Sequence, residues 1–328
     1  MKVALVYNLN RDEHVFEAEF DSQITIDALA KSLSTLHYEV ILIESGENFE
    51  NFIRQLKTTK ADIIFNIAEG FAGPAREAVY PALYNQLGFK FTGPDATNLL
   101  VCHNKILTKK LLCFANILVP EGKIIVNGSM PIESFSTWTY PLIVKLNSEG
   151  SSLGLNEKSI VNNAISLKQQ VKKVWREHHS SILIEEYIEG RDMSMVYIEG
   201  FGVMGPCEVI CTDGSVIYDY DHKTSKDSLV NIRNPLNIPK TWSLKLKRIT
   251  HKIAKVLDIQ GYAKVDFRVA KNGNMYVLEV NGQVSFHPLG EFIVCVENEG
   301  YTMKDVIHHI VEYAYKNTCK KSSVGINI

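Results

Sequence analysis

The sequence predicts an α/β protein in which a parallel-sheet domain is followed by a larger region of mixed α and β structure. Over residues 1–94, short apolar runs alternate with segments of helical periodicity, which is typical of β-α-β units. Further along, apolar and polar residues alternate on both sides of tight turns, which is typical of hairpins. With 328 residues, the chain is long enough for about two or three domains and a large core.

Composition narrows the class of protein. A formal charge of −2 argues against a nucleic-acid-binding protein that relies on a large basic surface. The 6 cysteines are too dispersed for a disulfide framework, which favours a reducing compartment. Residues 1–7 indicate a first strand and not a signal peptide, and no apolar run approaches the ~20 residues of a membrane span. We therefore expect a cytoplasmic protein with no membrane and no nucleic-acid partner.

The first domain, residues 1–94, is predicted to be Rossmann-like. Its predicted strands are residues 2–7, 39–43, 62–67 and 89–93, and its predicted helices are residues 22–36, 49–56 and 76–87. Ligands of such sheets bind beyond the carboxyl ends of the strands. The loop at residues 66–73 lies at one of these ends and lacks GxGxxG, so a dinucleotide site is not expected. Glu69 and Arg76 could face a small zwitterionic substrate, and a purely structural role is equally open for each.

The middle of the chain contains a loop suited to phosphate binding. A helical region over residues 94–115 includes Lys105, and strands are predicted at residues 123–126 and 141–145. The loop Glu149-Gly150-Ser151-Ser152-Leu153-Gly154 follows, and its backbone N–H groups could fold over phosphates. It is not a Walker A motif, which requires GxxxxGK[ST], and it could be an ordinary turn.

An acidic segment follows the next helix, which is predicted at residues 161–177. In Ile184-Glu185-Glu186-Tyr187-Ile188-Glu189-Gly190-Arg191-Asp192, an apolar strand ends in carboxylates that could accept hydrogen bonds from an adenine amino group or from ribose hydroxyls. A solvated hinge is the alternative.

Strands at residues 193–197, 205–210 and 216–220 lead to Tyr218-Asp219-Tyr220-Asp221-His222-Lys223 and a long polar segment. Loops of that length are often functional lids.

A predicted hairpin near the C-terminus carries candidate metal ligands. Residues 261–267 and 276–281 alternate apolar and polar side chains around the turn Lys271-Asn272-Gly273-Asn274. Glu279 and Asn281 share one strand face, and the hairpin brings Asp266 close to them. Two carboxylates and an amide oxygen suit Mg²⁺, and Lys264 lies on the same face as Asp266. A surface hairpin with one solvated face is the alternative. A helix at residues 243–257 precedes the hairpin, and another at residues 302–315 follows it.

Taken together, these segments resemble the ATP-grasp enzymes, and within them the D-alanine–D-alanine ligase group, over nearly the whole chain. The resemblance rests on Lys105, on residues 141–145, on the loop 149–154, on the acidic segment, on residues 218–223 and on the hairpin. It implies that a two-lobed ATP-grasp fold follows the N-terminal domain. The implied domains are residues 1–94 for substrate binding, residues 95–185 for the central lobe, and residues 186–328 for the lobe with the metal site and the lid.

The resemblance also implies roles for individual residues. Lys105 and Lys145 would hold the α- and β-phosphates of ATP, Ser151 and Ser152 belong to the closing loop, and Lys223 would reach the γ-phosphate. Glu185, Glu186 and Ile188 would contact adenine, and Asp192 would contact ribose. Asp266, Glu279 and Asn281 would hold two Mg²⁺ ions, with Mn²⁺ as a substitute. Lys264, which stands where the group usually has arginine, is a catalytic candidate together with Lys223 and Ser151.

Three departures from the group's pattern affect the substrate prediction. Asn281 leads into Gly282-Gln283-Val284-Ser285-Phe286-His287-Pro288-Leu289 and not into Thr-x-Pro-Gly-Met, so only Ser285 or His287 could hold the second substrate's carboxylate. Glu69-Gly70 replaces His-Gly, and Thr224 replaces the tyrosine after the lid lysine. All three lie where amino acids bind in the group.

The sequence therefore predicts an ATP-dependent carboxylate–amine ligase that acts through an acylphosphate. We expect its substrates to be two amino acids, or an amino acid and a small carboxylate, with an acceptor that differs from the group's. Authentic D-alanine–D-alanine ligation in cell-wall synthesis is one alternative. An ATP-binding protein without ligase turnover is the alternative from another class. A homodimer is a candidate assembly, by analogy with the group alone.

Overall fold

The computed structural model describes residues 1–11, 14–46, 48–126, 128, 135, 137–215, 217 and 229–321, with only the backbone for residues 15–16 and 318–321. Lys223, Thr224 and the predicted strand at residues 216–220 lie outside this part, apart from Ile217. The strands are β1 (Lys2–Tyr7), β2 (Glu39–Glu44), β3 (Ile63–Asn66), β4 (Gly122–Ile125), β5 (Leu142–Leu146), β6 (Ile160–Val161), β7 (Ile182–Glu186), β8 (Gly190–Ile198), β9 (Gly202–Cys211), β10 (Val230–Arg233), β11 (Tyr262–Ala270) and β12 (Met275–Asn281). The α-helices are α1 (Gln23–Thr35), α2 (Phe49–Thr59), α3 (Arg76–Leu87), α4 (Ala96–His103), α5 (Lys105–Phe114), α6 (Ala164–His178), α7 (Lys240–Val256), α8 (Glu291–Glu297) and α9 (Met303–Lys321).

The N-terminal sheet is parallel, with the strand order β2-β1-β3. Its central strand is fully buried from Val3 to Val6, which explains its continuous apolar sequence. The fourth strand predicted at residues 89–93 is reduced to one parallel bridge between Ile64 and Phe91. The extended segment ends there because Gly93 turns the chain with φ +90°.

Two antiparallel sheets follow. The first has the order β4-β7-β5-β6 and packs against α6 through apolar side chains that include Leu167, Val171 and Val174. The second has the order β10-β9-β8-β11-β12 and packs against α7 through Leu246 and Ile253. The predicted α/β chain with a parallel first sheet and mixed α+β lobes is thus the observed architecture.

The register of β11 and β12 determines which side chains the hairpin presents away from its core. Val265, Phe267 and Val269 are buried on one face, so Lys264, Asp266 and Arg268 point to the other. Asp266 pairs with Glu279, and Lys264 pairs with Asn281. Immediately beyond Asp266 the register shifts, because Phe267 pairs with Val277 and Leu278 is skipped. This β-bulge changes the direction in which the charged side chains at this end of the hairpin point.

The helical region predicted after Pro94 is two helices. Asn104 lies between them with extended backbone angles, and its side-chain oxygen accepts a hydrogen bond from the Leu107 N–H, which caps α5. Lys105 is therefore the first residue of a helix that packs against β12. In the described part of the chain, none of the helices is both long and apolar enough to cross a membrane.

We predict that Gly261→Ala destabilises the fold by about 1–3 kcal/mol, because Gly261 has φ +70° and alanine is strained there. An added Cβ would also lie 2.7 Å from the carbonyl carbon of Gly93. This close contact packs the end of the N-terminal domain against the start of the hairpin. Urea denaturation measures the change. Gly46→Ala is the matched control, since its Cβ would meet nothing within 4 Å. Equal midpoints for the two variants would contradict the packing argument.

Candidate functional site

Two cavities meet at the charged end of the hairpin. The first, here called the sheet cleft, has a volume of about 140 Å³ and is lined by residues of β5, β7, β8, β11 and β12. The second, here called the N-terminal cavity, has a volume of about 420 Å³ and extends from the hairpin to the loops beyond β1 and β3. Lys105, Glu149, Lys264 and Glu279 line both cavities. These residues therefore mark the junction.

The predicted metal ligands converge at this junction. The Asn281 amide Nδ2 donates to Asp266 Oδ2 at 3.0 Å and to Glu279 Oε1 at 3.4 Å. Lys264 Nζ donates to the two Asp266 oxygens at 2.8 and 3.0 Å, and Ser194 Oγ donates to Asp266 Oδ1 at 2.6 Å. The structure thus brings together the three hairpin residues predicted as metal ligands and Lys264, a catalytic candidate.

A third acidic group, Glu291 at the start of α8, was not predicted and adds negative charge to the junction. It lies 3.7 Å from Lys264 Nζ. Burial raises the pKa of Asp266, and the neighbouring Glu279 and Glu291 raise it further against the opposing effect of Lys264. For Lys264, burial alone would lower the pKa, but Asp266 and Glu291 hold it well above its ordinary value. The carboxylates repel one another, so a bound cation would stabilise the cluster.

The chemistry of this cluster fits a divalent metal ion with oxygen ligands. No cluster of three His, Cys, Asp or Glu side chains suited to a metal occurs among the residues that the structure describes. Two carboxylates plus the Asn281 amide oxygen nevertheless suit Mg²⁺, which usually keeps several waters and phosphate oxygens in its coordination shell.

Two buried lysines hold Glu185 at the wall of the sheet cleft. Lys145 Nζ lies 2.5 Å from one Glu185 oxygen, and Lys109 Nζ lies 2.9 Å from the other. Burial would raise the pKa of Glu185, but the two ammonium groups lower it below its ordinary value. Burial lowers the pKa of Lys109 to about 8 against the opposing effect of Glu185.

Lys109 was not among the predicted residues, although a signal for it exists in the sequence. Lys105 and Lys109 are spaced i,i+4 on α5 and therefore lie on one face of the helix. Lys105 Nζ donates to the Glu149 carbonyl at 2.6 Å and lies 3.3 Å from Glu279 Oε2. One helix thus contacts both walls of the sheet cleft.

The remaining residues predicted for nucleotide binding also lie at the cavities. Glu186, Ile188 and Asp192 line the sheet cleft. Asp192 is 2.8 Å from Arg268 Nε, and burial raises its pKa to about 6 against the opposing effect of that arginine. Ser152 lines the sheet cleft, and Ser151 lines the N-terminal cavity. Their φ angles of +57° and +48° are uncommon for serine, and such strain is concentrated at ligand-binding loops.

The predicted substrate residues have different surroundings. Glu69 lines the N-terminal cavity. Arg76 is buried and pairs with Glu19, and its Nη2 donates to Glu149 Oε2 at 2.9 Å. Because Glu19 also accepts a hydrogen bond from the Gly150 N–H, this arginine joins the N-terminal domain to the loop at residues 149–154.

Ser285 and His287 both line the N-terminal cavity. Ser285 Oγ donates to Asp21 Oδ1 at 2.7 Å, and the His287 N–H donates to Ser285 Oγ at 3.3 Å. Burial lowers the pKa of His287, while Glu291 opposes this shift. The segment after Asn281 thus faces the N-terminal domain across the cavity.

Comparisons with known proteins agree with this geometry. Residues 120–312 match the family model described as D-ala D-ala ligase C-terminus. The D-alanine–D-alanine ligase of Aquifex aeolicus (strain VF5) is 28% identical over 286 residues, which cover 87% of this chain and 92% of that protein. The crystal structure of D-alanine–D-alanine ligase from Bacillus anthracis has a TM-score of 0.80 at 19% identity and covers 98% of this chain and 100% of that one. The VanG D-Ala:D-Ser ligase from Enterococcus faecalis has a TM-score of 0.75 at 19% identity and covers 95% of this chain and 99% of that one.

Two antiparallel sheets that enclose a lysine-lined cleft, with a carboxylate-bearing hairpin at its end, define an ATP-grasp enzyme. The family model spans more than half of the sequence, and the chain belongs to the D-alanine–D-alanine ligase family. It is an ATP-dependent ligase that forms a carbon–nitrogen bond.

We predict that Glu185→Gln destabilises the fold by about 3–5 kcal/mol, because two buried lysines then lack their shared counter-ion. Urea denaturation measures this loss. Glu186→Gln is the matched control, since among the described residues its carboxylate accepts a single hydrogen bond, from the Glu121 N–H at 3.3 Å. We expect the control to change stability by less than about 1 kcal/mol. A similar loss in both variants would contradict the special role of the ion pairs.

Asp21 gives a pH-dependent prediction. Burial raises its pKa from 3.8 to about 7, although hydrogen bonds from Ser285 and Thr25 oppose the shift. Between these values the unfolded chain is ionised while the native carboxyl keeps its proton, so this group makes the fold less stable as pH rises. Asp21→Asn removes that dependence. We expect its stability relative to the wild type to improve by about 3–4 kcal/mol between pH 4 and pH 8, as measured by urea denaturation.

The control for this experiment is Asp27→Asn, which changes an exposed aspartate on α1. It reports the background effect of losing one surface carboxylate. An Asp21→Asn profile that runs parallel to the wild type from pH 4 to pH 8 would show that the carboxyl is ionised in the native state.

Proposed function

We propose that the enzyme joins two amino acids through an acylphosphate, with D-alanine as one substrate. The observation that carries the proposal is the junction itself, where the hairpin cluster of Lys264, Asp266, Glu279 and Asn281 lies between a cleft suited to a nucleotide and a cavity suited to amino acids. D-alanine is favoured because the family model and several curated relatives are named for D-alanine–D-alanine ligation. These names support D-alanine–D-alanine ligation better than the ligation of an unrelated pair of substrates.

The sheet cleft is the proposed ATP site. Lys105 and Lys145 would bind the phosphate oxygens, and the backbone N–H groups of the loop at residues 149–154 would close over them. Glu186 and Ile188 would contact adenine, and Asp192 would contact ribose. Glu185 would also contact adenine, and its ion pairs with Lys109 and Lys145 fix its position. Lys223 would reach the γ-phosphate from the segment that lies outside the described residues.

Asp266, Glu279 and Asn281 are the proposed ligands of Mg²⁺. When bound, the metal would neutralise charge on the transferring phosphoryl group and align it with its acceptor. The Ser194 hydroxyl and the Lys264 ammonium both donate to Asp266, which fixes the orientation of this carboxylate.

The proposed reaction has two steps. The carboxylate oxygen of the first substrate attacks the γ-phosphorus of ATP, and ADP leaves with the electrons of the broken phosphorus–oxygen bond. The amine nitrogen of the second substrate then attacks the acyl carbon, and inorganic phosphate leaves as the amide forms. The Lys264 side chain is only 15% exposed, and its ammonium would stabilise the oxyanion as a point charge.

We predict that Glu279→Gln lowers ADP production by about a hundredfold or more, because a metal ligand loses its charge. Its side chain is 28% exposed, so we expect the urea midpoint to stay unchanged. Glu157→Gln, at an exposed position, is the control. ADP production that survives in Glu279→Gln would contradict the metal assignment.

The substrate proposal is tested with D-alanine alone. We expect ADP release that requires D-alanine and Mg²⁺, together with a dipeptide product identified by mass spectrometry. Tight ATP binding without turnover on any pair of amino acids would overturn the proposal and favour a non-catalytic ATP-binding protein.

A further inference from the structure

One end of the N-terminal cavity is strongly acidic. Four carboxylates line it, Glu19, Asp21, Glu69 and Glu77, and together they are called the acidic end below. Burial raises the pKa of Glu69 well above its ordinary value, and its neighbours Glu77, Glu19 and Asp21 raise it further. A cation bound at the acidic end would therefore stabilise the ionised form of Glu69.

The neighbouring cations of the protein are already paired. Arg76 binds Glu19 and Glu149, and the imidazole Nδ1 of His103 lies 2.6 Å from Glu77 Oε1. Arg76 also lowers the pKa of Glu69, but within the described part of the chain its direct ion pairs are with Glu19 and Glu149 and not with Glu69. Glu69 thus shares the charge of Arg76 with two glutamates that bind this arginine directly.

His103 gives a second, independent indication of a ligand. Its side chain is only 5% exposed and lines the same cavity, yet its Nε2 has no hydrogen-bond partner among the described residues. In the tautomer that carries its proton on Nδ1 and donates it to Glu77, Nε2 is an acceptor. An acceptor and a carboxyl group that line one cavity are suited to a ligand with several N–H donors, and an ammonium carries three.

We propose that the acidic end binds the side-chain ammonium of a basic amino acid substrate, with Glu69 as its ion-pair partner and His103 Nε2 as an acceptor. This inference rests on the proposed function, since it identifies one of the two amino acids that are joined. A neutral amino acid brings one ammonium and one carboxylate, so its zwitterion adds no net positive charge to the acidic end. A diamino acid brings a second ammonium, which would stabilise the ionised form of Glu69.

Ornithine and norleucine provide a matched test, because their side chains differ in an ammonium against a methyl group at the same position. ADP release is measured with the full chain, ATP, Mg²⁺ and D-alanine, with each compound supplied in both its D and its L form. We expect kcat/KM to be at least about tenfold higher with ornithine than with norleucine. We also expect the mass of the ornithine–alanine dipeptide. A ratio of one or less in the wild type would overturn the inference.

Glu69→Gln tests the assigned ion pair. We expect the ornithine-to-norleucine ratio to fall at least about tenfold in this variant. Glu50→Gln, which changes an exposed glutamate on α2, should keep the wild-type ratio. A ratio that is unchanged by Glu69→Gln would assign the preference to other residues and overturn the role of Glu69.

Direct binding separates this inference from the proposed function. Calorimetric titration of ornithine and norleucine into the wild type and into Glu69→Gln requires no turnover. Ornithine that binds the wild type more tightly than norleucine, with no ADP release from any pair, would support the acidic end while the proposed function fails. Turnover with D-alanine alone and equal binding of the two compounds would support the proposed function and overturn the inference.

Discussion

The charged face of the hairpin β11–β12 is the constraint on which the rest of the site depends. Its other face is buried against α7, so a shift of one residue in register would turn the carboxylates into the core. Val265 and Phe267 hold the register through burial, and Lys264 and Asp266 are directed to the junction as a consequence. The sheet cleft and the N-terminal cavity share Lys264 and Glu279, so the hairpin faces both cavities.

Coupling between the N-terminal domain and the loop at residues 149–154 passes through a few buried contacts. Glu19 contacts both Arg76 and the Gly150 N–H, and Arg76 also contacts Glu149. Lys105 donates to the carbonyl of that same Glu149. The start of the loop is thus held by the N-terminal domain and by α5, so its position depends on both.

Much of the fold and the hairpin cluster could be predicted because their signals are local. Alternation within β11 and β12 places Asp266, Glu279 and Asn281 on one face, and a turn sequence sets their pairing. Glu291 and His103 could not be predicted, because they reach the site from helices whose packing brings distant parts of the chain together. The break at Asn104 was also missed, since a capping asparagine inside a polar stretch resembles ordinary helix sequence.

Helix α5 has a consequence for how the cleft can open. Lys105 contacts Glu279 of one sheet, and Lys109 contacts Glu185 of the other, so a single helical turn spans the gap between the two walls. Side chains that are spaced i,i+4 have Cβ atoms about 5–6 Å apart. The two lysine contacts of the helix therefore limit the width of the cleft at this edge. A change in the distance between the two sheets at this edge would therefore require that one of these contacts breaks or that a lysine side chain changes its conformation.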